Sequence, residues 1–227
     1  MIITIDGPAG SGKSTTAQRL AARLNIPCLD TGAMYRAVAL RAIRAAAPLD
    51  DQNRLTQLAR ETDLQVACDS RGTRVLLDSE DVTDAIRTME VNQATGYVAR
   101  VPGVREVLVD QQRKIGQQLG SLVTEGRDQG SVVFPDADVK FLIDADVETR
   151  VSRRCEEMRE EGQDVTPDQV RANLIERDDR DQKRWAPLMA PNAATRIDTS
   201  GMTINEVVDR MVDQVRRCAA SRQQQER

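Results

Sequence analysis

The chain contains no histidine. That excludes histidine general-base catalysis and every metal site ligated by imidazole. Aromatic residues are 2% of the sequence: Tyr35, Tyr97, Phe134, Phe141 and Trp185. A stacking platform for single-stranded nucleic acid is therefore not expected, and a net charge of −4 argues against nonspecific nucleic-acid binding. No apolar run approaches the roughly 20 residues of a membrane span. The cysteines Cys28, Cys68, Cys155 and Cys218 are widely scattered with no CxxC pair. Without a secretory signal before the first strand, reduced thiols and a cytoplasmic location are expected.

What is present suits a globular protein: 227 residues, 40% hydrophobic and 30% charged. That length allows one domain, or a core carrying an insertion. The chain is organised around Gly7-Pro8-Ala9-Gly10-Ser11-Gly12-Lys13-Ser14-Thr15. The apolar run Met1-Ile2-Ile3-Thr4-Ile5 precedes it, and Ala17, Leu20, Ala21 and Leu24 follow at helical spacing. A strand thus feeds a glycine-rich turn that opens a helix. Such a turn wraps closely around a polyphosphate, with backbone N–H groups and the helix N-terminus aimed at it. Lys13 would reach the β- and γ-phosphates and the Ser14 hydroxyl would ligate Mg²⁺. Binding of a nucleoside triphosphate is implied.

Further along, Ile26-Pro27-Cys28-Leu29 reads as a second strand leading to a helix with Thr31 at its N-cap. This places Arg36 near the strand mouth, where α/β folds bind ligands. A helix is expected over 52–61. The stretches 64–68 and 73–77 flank Asp69-Ser70-Arg71-Gly72 and predict a hairpin, a small antiparallel sheet inserted into an α/β protein. Residues 84–100 read as helical, and a further helix carries Arg105 near its start. Ser121-Leu122-Val123-Thr124 is a strand running into Glu125-Gly126-Arg127-Asp128, where a second magnesium-site carboxylate is expected at the tip. Strands at 139–143 and 196–199 follow. A charged helix is expected over 147–161, ended by Gly162. Thr166-Pro167-Asp168-Gln169 then carries a capping-box pattern. The next helix aligns Arg177, Arg180 and Arg184 on one face beside Asp178 and Asp181. Thr203 and Glu206 cap the last helix, and 223–227 should fray.

The blocks at 7–15, Asp30-Thr31-Gly32-Ala33-Met34-Tyr35-Arg36, Ile86-Arg87-Thr88, Glu125-Gly126-Arg127-Asp128-Gln129-Gly130, Val132-Val133-Phe134-Pro135-Asp136-Ala137 and Glu176-Arg177-Asp178-Asp179-Arg180-Asp181 resemble bacterial cytidylate kinase over essentially the whole chain. The resemblance implies an α/β fold: a five-stranded parallel sheet flanked by helices, with an inserted substrate-binding subdomain and a short helical lid. As a single domain it would comprise a core at about 1–30, 106–146 and 190–227, a subdomain at about 31–105 and a lid at about 147–189. It implies transfer of the ATP γ-phosphoryl to CMP or dCMP in pyrimidine metabolism, with Mg²⁺ as cofactor, by a monomer with no membrane or nucleic-acid partner. Positions 7–15 would bind ATP. Arg36 and Arg127 would hold the acceptor phosphate, with Thr31 and Tyr35 also at the acceptor. Lys13, Arg127, Arg177, Arg180 and Arg184 would face the transferring group, and Glu125 would act through magnesium's water shell, where the family more often has aspartate.

Asp128 and Arg105 match positions that read cytosine, a carboxylate taking the amino proton and a guanidinium donating to the ring acceptors. Uracil would leave both unpaired, at about 1–3 kcal/mol per lost contact. Gly96 replaces a family serine at the base, so Thr95 or water stands in, or selectivity is weaker. Asp181 sits either near the substrate sugar or in an intrahelical ion pair. Related kinases for AMP, UMP or a small alcohol lack these blocks together with the β insert. A GTPase-like switch would carry an Asn-Lys-x-Asp tetrapeptide, which is absent.

Overall fold

The computed structural model describes residues 1–160 and 164–225. Gly162, expected to end a helix, and the last two residues of the segment expected to fray lie outside the described residues. In chain order the elements are β1 (Ile2–Asp6), α1 (Lys13–Leu24), β2 (Cys28–Asp30), α2 (Thr31–Arg44), α3 (Gln52–Glu61), β3 (Leu64–Asp69), β4 (Gly72–Leu77), β5 (Glu80–Asp81), α4 (Met89–Val98), α5 (Pro102–Leu119), β6 (Leu122–Gly126), β7 (Val139–Asp144), α6 (Val147–Glu160), α7 (Pro167–Trp185), β8 (Thr195–Asp198) and α8 (Ile204–Gln225). Among the described residues no helix is long and apolar enough to cross a membrane.

The fold is α/β, a five-stranded sheet flanked by helices plus a three-stranded antiparallel sheet. The chain forms two compact units, Met1–Asn25 with Val123–Arg227, and Ile26–Leu122. In the first unit the strands run in the order β6-β1-β7-β8. β1 pairs parallel with β7, Ile3 facing Val139 and Asp6 facing Leu142, and β7 pairs parallel with β8. Ile3, Thr4, Ile5 and Asp6 are all fully buried. A central parallel strand covered on both faces reads as a continuous apolar run, which is why β1 is legible without alternation. α1 packs against α8 and α6 against α7. Val151, Cys155, Val170 and Leu174 form a separate apolar cluster with Ala9 of the glycine-rich turn.

In the second unit β3 and β4 form the expected hairpin, with Leu64 opposite Leu77 and Asp69 opposite Gly72. Asp69 accepts backbone hydrogen bonds from Arg71 and Gly72, closing the turn. β5, which adds to β4 through Leu76–Asp81 and Leu77–Glu80, is not foreshadowed by the sequence pattern. A two-residue strand carries no periodicity to read. α2 packs on α4, and α3 on α5.

Several expectations need correction. Thr31 is the first residue of α2, and Asp30 is its N-cap, accepting the Ala33 N–H at 3.0 Å. Asp30 has the extended backbone that a cap requires, while Thr31 is already helical. The stretch 84–100 is not one helix: a 3-10 turn spans Ala85–Arg87, and Thr88 then caps α4. The third strand of the core begins one residue later than expected and extends through Gly126, so Glu125 lies within it.

The backbone at Gly7 is specific to glycine. Its φ is 147°, and an added Cβ would lie 1.9 Å from the Ile143 carbonyl oxygen. Gly7→Ala is expected to cost about 3 kcal/mol of stability from strain and overpacking together. A urea denaturation midpoint unchanged from the parent protein would contradict this.

Candidate functional site

β1 ends at Asp6, and the chain turns through Gly7, Gly10 and Gly12, all with positive φ, before α1 starts at Lys13. Gly12 is the N-cap and offers no side-chain acceptor. The first-turn N–H groups of α1 therefore end at the turn itself, which is the anion-binding arrangement of a helix N-terminus. Lys13 folds back so that its Nζ donates to the Pro8 carbonyl at 2.6 Å, and Ser11 Oγ donates to the same oxygen at 3.0 Å.

Burial pushes the Lys13 amine down to about 7, and the Arg127 and Arg177 guanidiniums push the same way, against Glu125 and Asp6. Arg177 itself is lowered to about 10 by burial and by Arg127, Arg154 and Arg180, with Asp181 opposing. A lysine and several arginines thus repel one another in one low-dielectric region, an arrangement that an anion stabilises.

Ser14 Oγ donates to Glu125 Oε1 at 2.8 Å, joining the start of α1 to β6. Glu125 is 6% exposed. Beyond β6, Asp128 is also buried, and the turn Gln129–Val133 is π-helical. Arg127 Nε lies 3.3 Å from Asp181 Oδ2 on α7, while Arg184 Nη1 lies 3.1 Å from Asp181 Oδ1. Asp181 is therefore both the intrahelical partner of Arg184 and a link to Arg127. Arg180 turns to Glu176 instead, with Nε donating to its carbonyl at 3.0 Å.

Three residues of this unit are not singled out by the sequence. Arg150 is 4% exposed. Its Nε donates to the Ala145 carbonyl at 3.0 Å, and its Nη1 to the Ala9 carbonyl at 3.2 Å and to Asp178 Oδ2 at 2.6 Å. It staples the glycine-rich turn to α7. Arg153 donates to Thr199, which also lies against the Ser11 carbonyl at 3.3 Å. Asp6 is the third, buried with no ion pair at hydrogen-bond distance among the described residues. The signal for it is a lone acid closing an apolar strand directly before a glycine.

In the second unit Asp30 caps α2 with one oxygen and takes Arg36 Nη2 with the other at 2.7 Å, while Arg87 Nη2 stands 4.0 Å from the same oxygen. Arg36 Nε is buried and has no hydrogen-bond partner among the described residues. Thr31 and Tyr35 are buried on α2 beside it, and Arg105 is half-buried in the first turn of α5. Arg87 belongs with Arg36 beside Asp30, although the sequence offers it only as part of the Ile86-Arg87-Thr88 block, with no role assigned.

A parallel sheet whose central strand runs into a glycine-rich turn, with a buried lysine opening the next helix, defines the phosphate-loop kinase fold. The same fold is found in a shikimate kinase from Bacteroides thetaiotaomicron, with a TM-score of 0.51 at 11% identity over 95% of this chain and 98% of that one. The chain belongs to the cytidylate kinase family, whose model matches residues 3–217. It is 47% identical over 223 residues to the cytidylate kinase of Salinibacter ruber, covering 95% of this chain and 97% of that one. It is 42% identical over 216 residues to the cytidylate kinase of Caldanaerobacter subterraneus, covering 95% and 94%.

Arg150→Met should lose about 3–5 kcal/mol, because it strands Asp178 in a partly buried position. Arg180→Met, whose partner Glu176 is exposed, should change stability by less than about 1 kcal/mol. Urea denaturation of both variants checks this; equal losses would contradict the staple.

Proposed function

We propose that the chain transfers the γ-phosphoryl group of ATP to CMP and dCMP. The observation that carries the reading is a buried Lys13 amine that the Arg127 and Arg177 guanidiniums both oppose, at a helix start whose N-cap, Gly12, supplies no side-chain acceptor. Such a site is built for a polyanion whose charge moves during reaction.

Positions 7–15 cradle the donor phosphates, and Lys13 exchanges the Pro8 carbonyl for the β- and γ-phosphate oxygens. Ser14 Oγ and Glu125 Oε1, 2.8 Å apart, are the hard oxygen donors Mg²⁺ prefers. Ser14 would hold that ion directly and Glu125 through water, where it neutralises charge between the terminal phosphates. The acceptor oxygen belongs to an ionised phosphate and needs no strong base, which agrees with a chain that contains no histidine. What remains is alignment of two anions.

Arg36 and Arg127 take the acceptor phosphate oxygens in the planar, bidentate manner of guanidinium. Thr31 and Tyr35 line the acceptor side of α2. Arg177, Arg180 and Arg184 of α7 neutralise the transferring group, and Asp181 orients Arg127 and Arg184 toward it. Asp128 accepts the cytosine amino proton and Arg105 donates to the ring acceptors. Residues 147–189 act as the lid, 31–105 as the acceptor subdomain, and the remainder as the core. The protein works as a cytoplasmic monomer without membrane or nucleic-acid partners.

A coupled assay with ATP, Mg²⁺ and each of CMP, dCMP, UMP and AMP tests the reading. CMP and dCMP should give the highest kcat/KM, with UMP lower by about 10- to 100-fold, the worth of one unpaired buried contact. AMP as the preferred acceptor would overturn it.

A further inference from the structure

Asp6 is the last residue of β1, adjacent to Gly7 and fully buried. Its two carboxylate oxygens are both occupied. Oδ1 accepts the Gln129 N–H and Oδ2 the Gly130 N–H, each at 2.7 Å. These are the first two amides after Asp128, at the start of the π-helical turn.

The Gln129 N–H belongs to the peptide unit whose orientation is the ψ of Asp128, here 23°. The carbonyl of that same unit accepts the Val132 N–H at 2.9 Å and the Val133 N–H at 3.1 Å. The peptide plane next to Asp128 is thus clamped on both sides, by Asp6 at its N–H and by the turn at its C=O. Space around it is tight. A Cβ on Gly130 would meet Thr4 Oγ1 at 2.8 Å and Asp6 Oδ2 at 3.3 Å. The turn also meets α7 directly, since Ser131 Oγ donates to the Arg184 carbonyl at 2.7 Å.

A short side chain that accepts one N–H at each of its two terminal atoms is a carboxylate, for an amide in the same pose would turn an NH₂ group onto one of the donors. The protein retains this acid although burial raises it to about 6, with Asp128 adding to the rise and the two N–H bonds and Lys13 opposing it. Wide, π-helical turns are energetically poor and recur at functional sites. An acid buried at such expense under such a turn points to a geometric task.

We infer that Asp6 is a positioning residue for acceptor choice: by gripping the Gln129 and Gly130 amides it sets the direction in which Asp128 presents its carboxylate. The strand that delivers the donor's phosphate turn thereby also anchors the group that reads the acceptor base. The inference rests on the assignment of Asp128 to the cytosine amino group.

The test is the ratio of kcat/KM for CMP to that for UMP, measured in Asp6→Asn, Gly130→Ala and Asp128→Ala with a thermal melt of each. A role in stability alone, or a change in Lys13 next to Asp6, slows both acceptors alike and leaves the ratio where it was. Asp6→Asn should lower the ratio about tenfold, the effect of one lost or opposed hydrogen bond. Gly130→Ala, which pushes the same turn from the other side, should lower it too and decides alone should Asp6→Asn not fold. A parental ratio in the folded variant, alongside a collapsed ratio in Asp128→Ala, overturns the inference and leaves Asp128 as base reader. A parental ratio in Asp128→Ala removes the base reader, and the inference with it.

Discussion

The structure depends on keeping one lysine amine out of water with no formal counter-charge in hydrogen-bond contact among the described residues. Lys13 rests against the Pro8 carbonyl, lowered to about 7 by burial and by neighbouring arginines. An ammonium in that position is poorly solvated and repelled, and a polyphosphate relieves both conditions. Much of the surrounding architecture holds this arrangement open. Gly7 supplies a backbone that passes under Ile143 with no room for a side chain. Arg150 ties that backbone to α7, and Thr199 approaches the Ser11 carbonyl from the end of β8.

The acids in the region divide the work. Glu125 accepts the Ser14 hydroxyl and so ties β6 to the start of α1. Asp181 bridges Arg127 and Arg184, offsetting the repulsion between two guanidiniums held close together. Asp178 fixes Arg150, and Asp6 grips a backbone turn. Four carboxylates near one phosphate turn therefore serve four geometries. Their role is to orient positive groups and amides, which is the main demand that phosphoryl transfer makes on a protein.

The phosphate turn is legible in the sequence because its function is carried by contiguous residues with a local backbone requirement. β1, β3, β4 and β7 are legible because their apolar runs are bounded by turn residues. Arg127, Asp128 and the α7 arginines stand out through resemblance, and the structure gathers Arg127, Asp181 and Arg184. Less visible are contacts between positions far apart in the chain. Asp6 meets Gln129 across 123 residues and Arg150 meets Asp178 across 28. No periodicity encodes such pairs. The cap of α2 falls one residue from its expected place for a different reason: Asp30 and Thr31 are both good caps, and the choice between them lies in backbone angles fixed by β2.

Isothermal titration of ATP into the protein at pH 8, in two buffers of different ionisation enthalpy, reads the charge state of Lys13 most directly. With its amine near 7, Lys13 is mostly neutral at that pH in the free protein and must be charged against the triphosphate. Binding should take up about one proton, with the apparent enthalpy shifting between buffers accordingly, and the uptake should vanish in Lys13→Met. An enthalpy independent of buffer in the parent protein would show that Lys13 is already charged before the nucleotide arrives, and would contradict a lysine held largely neutral by burial.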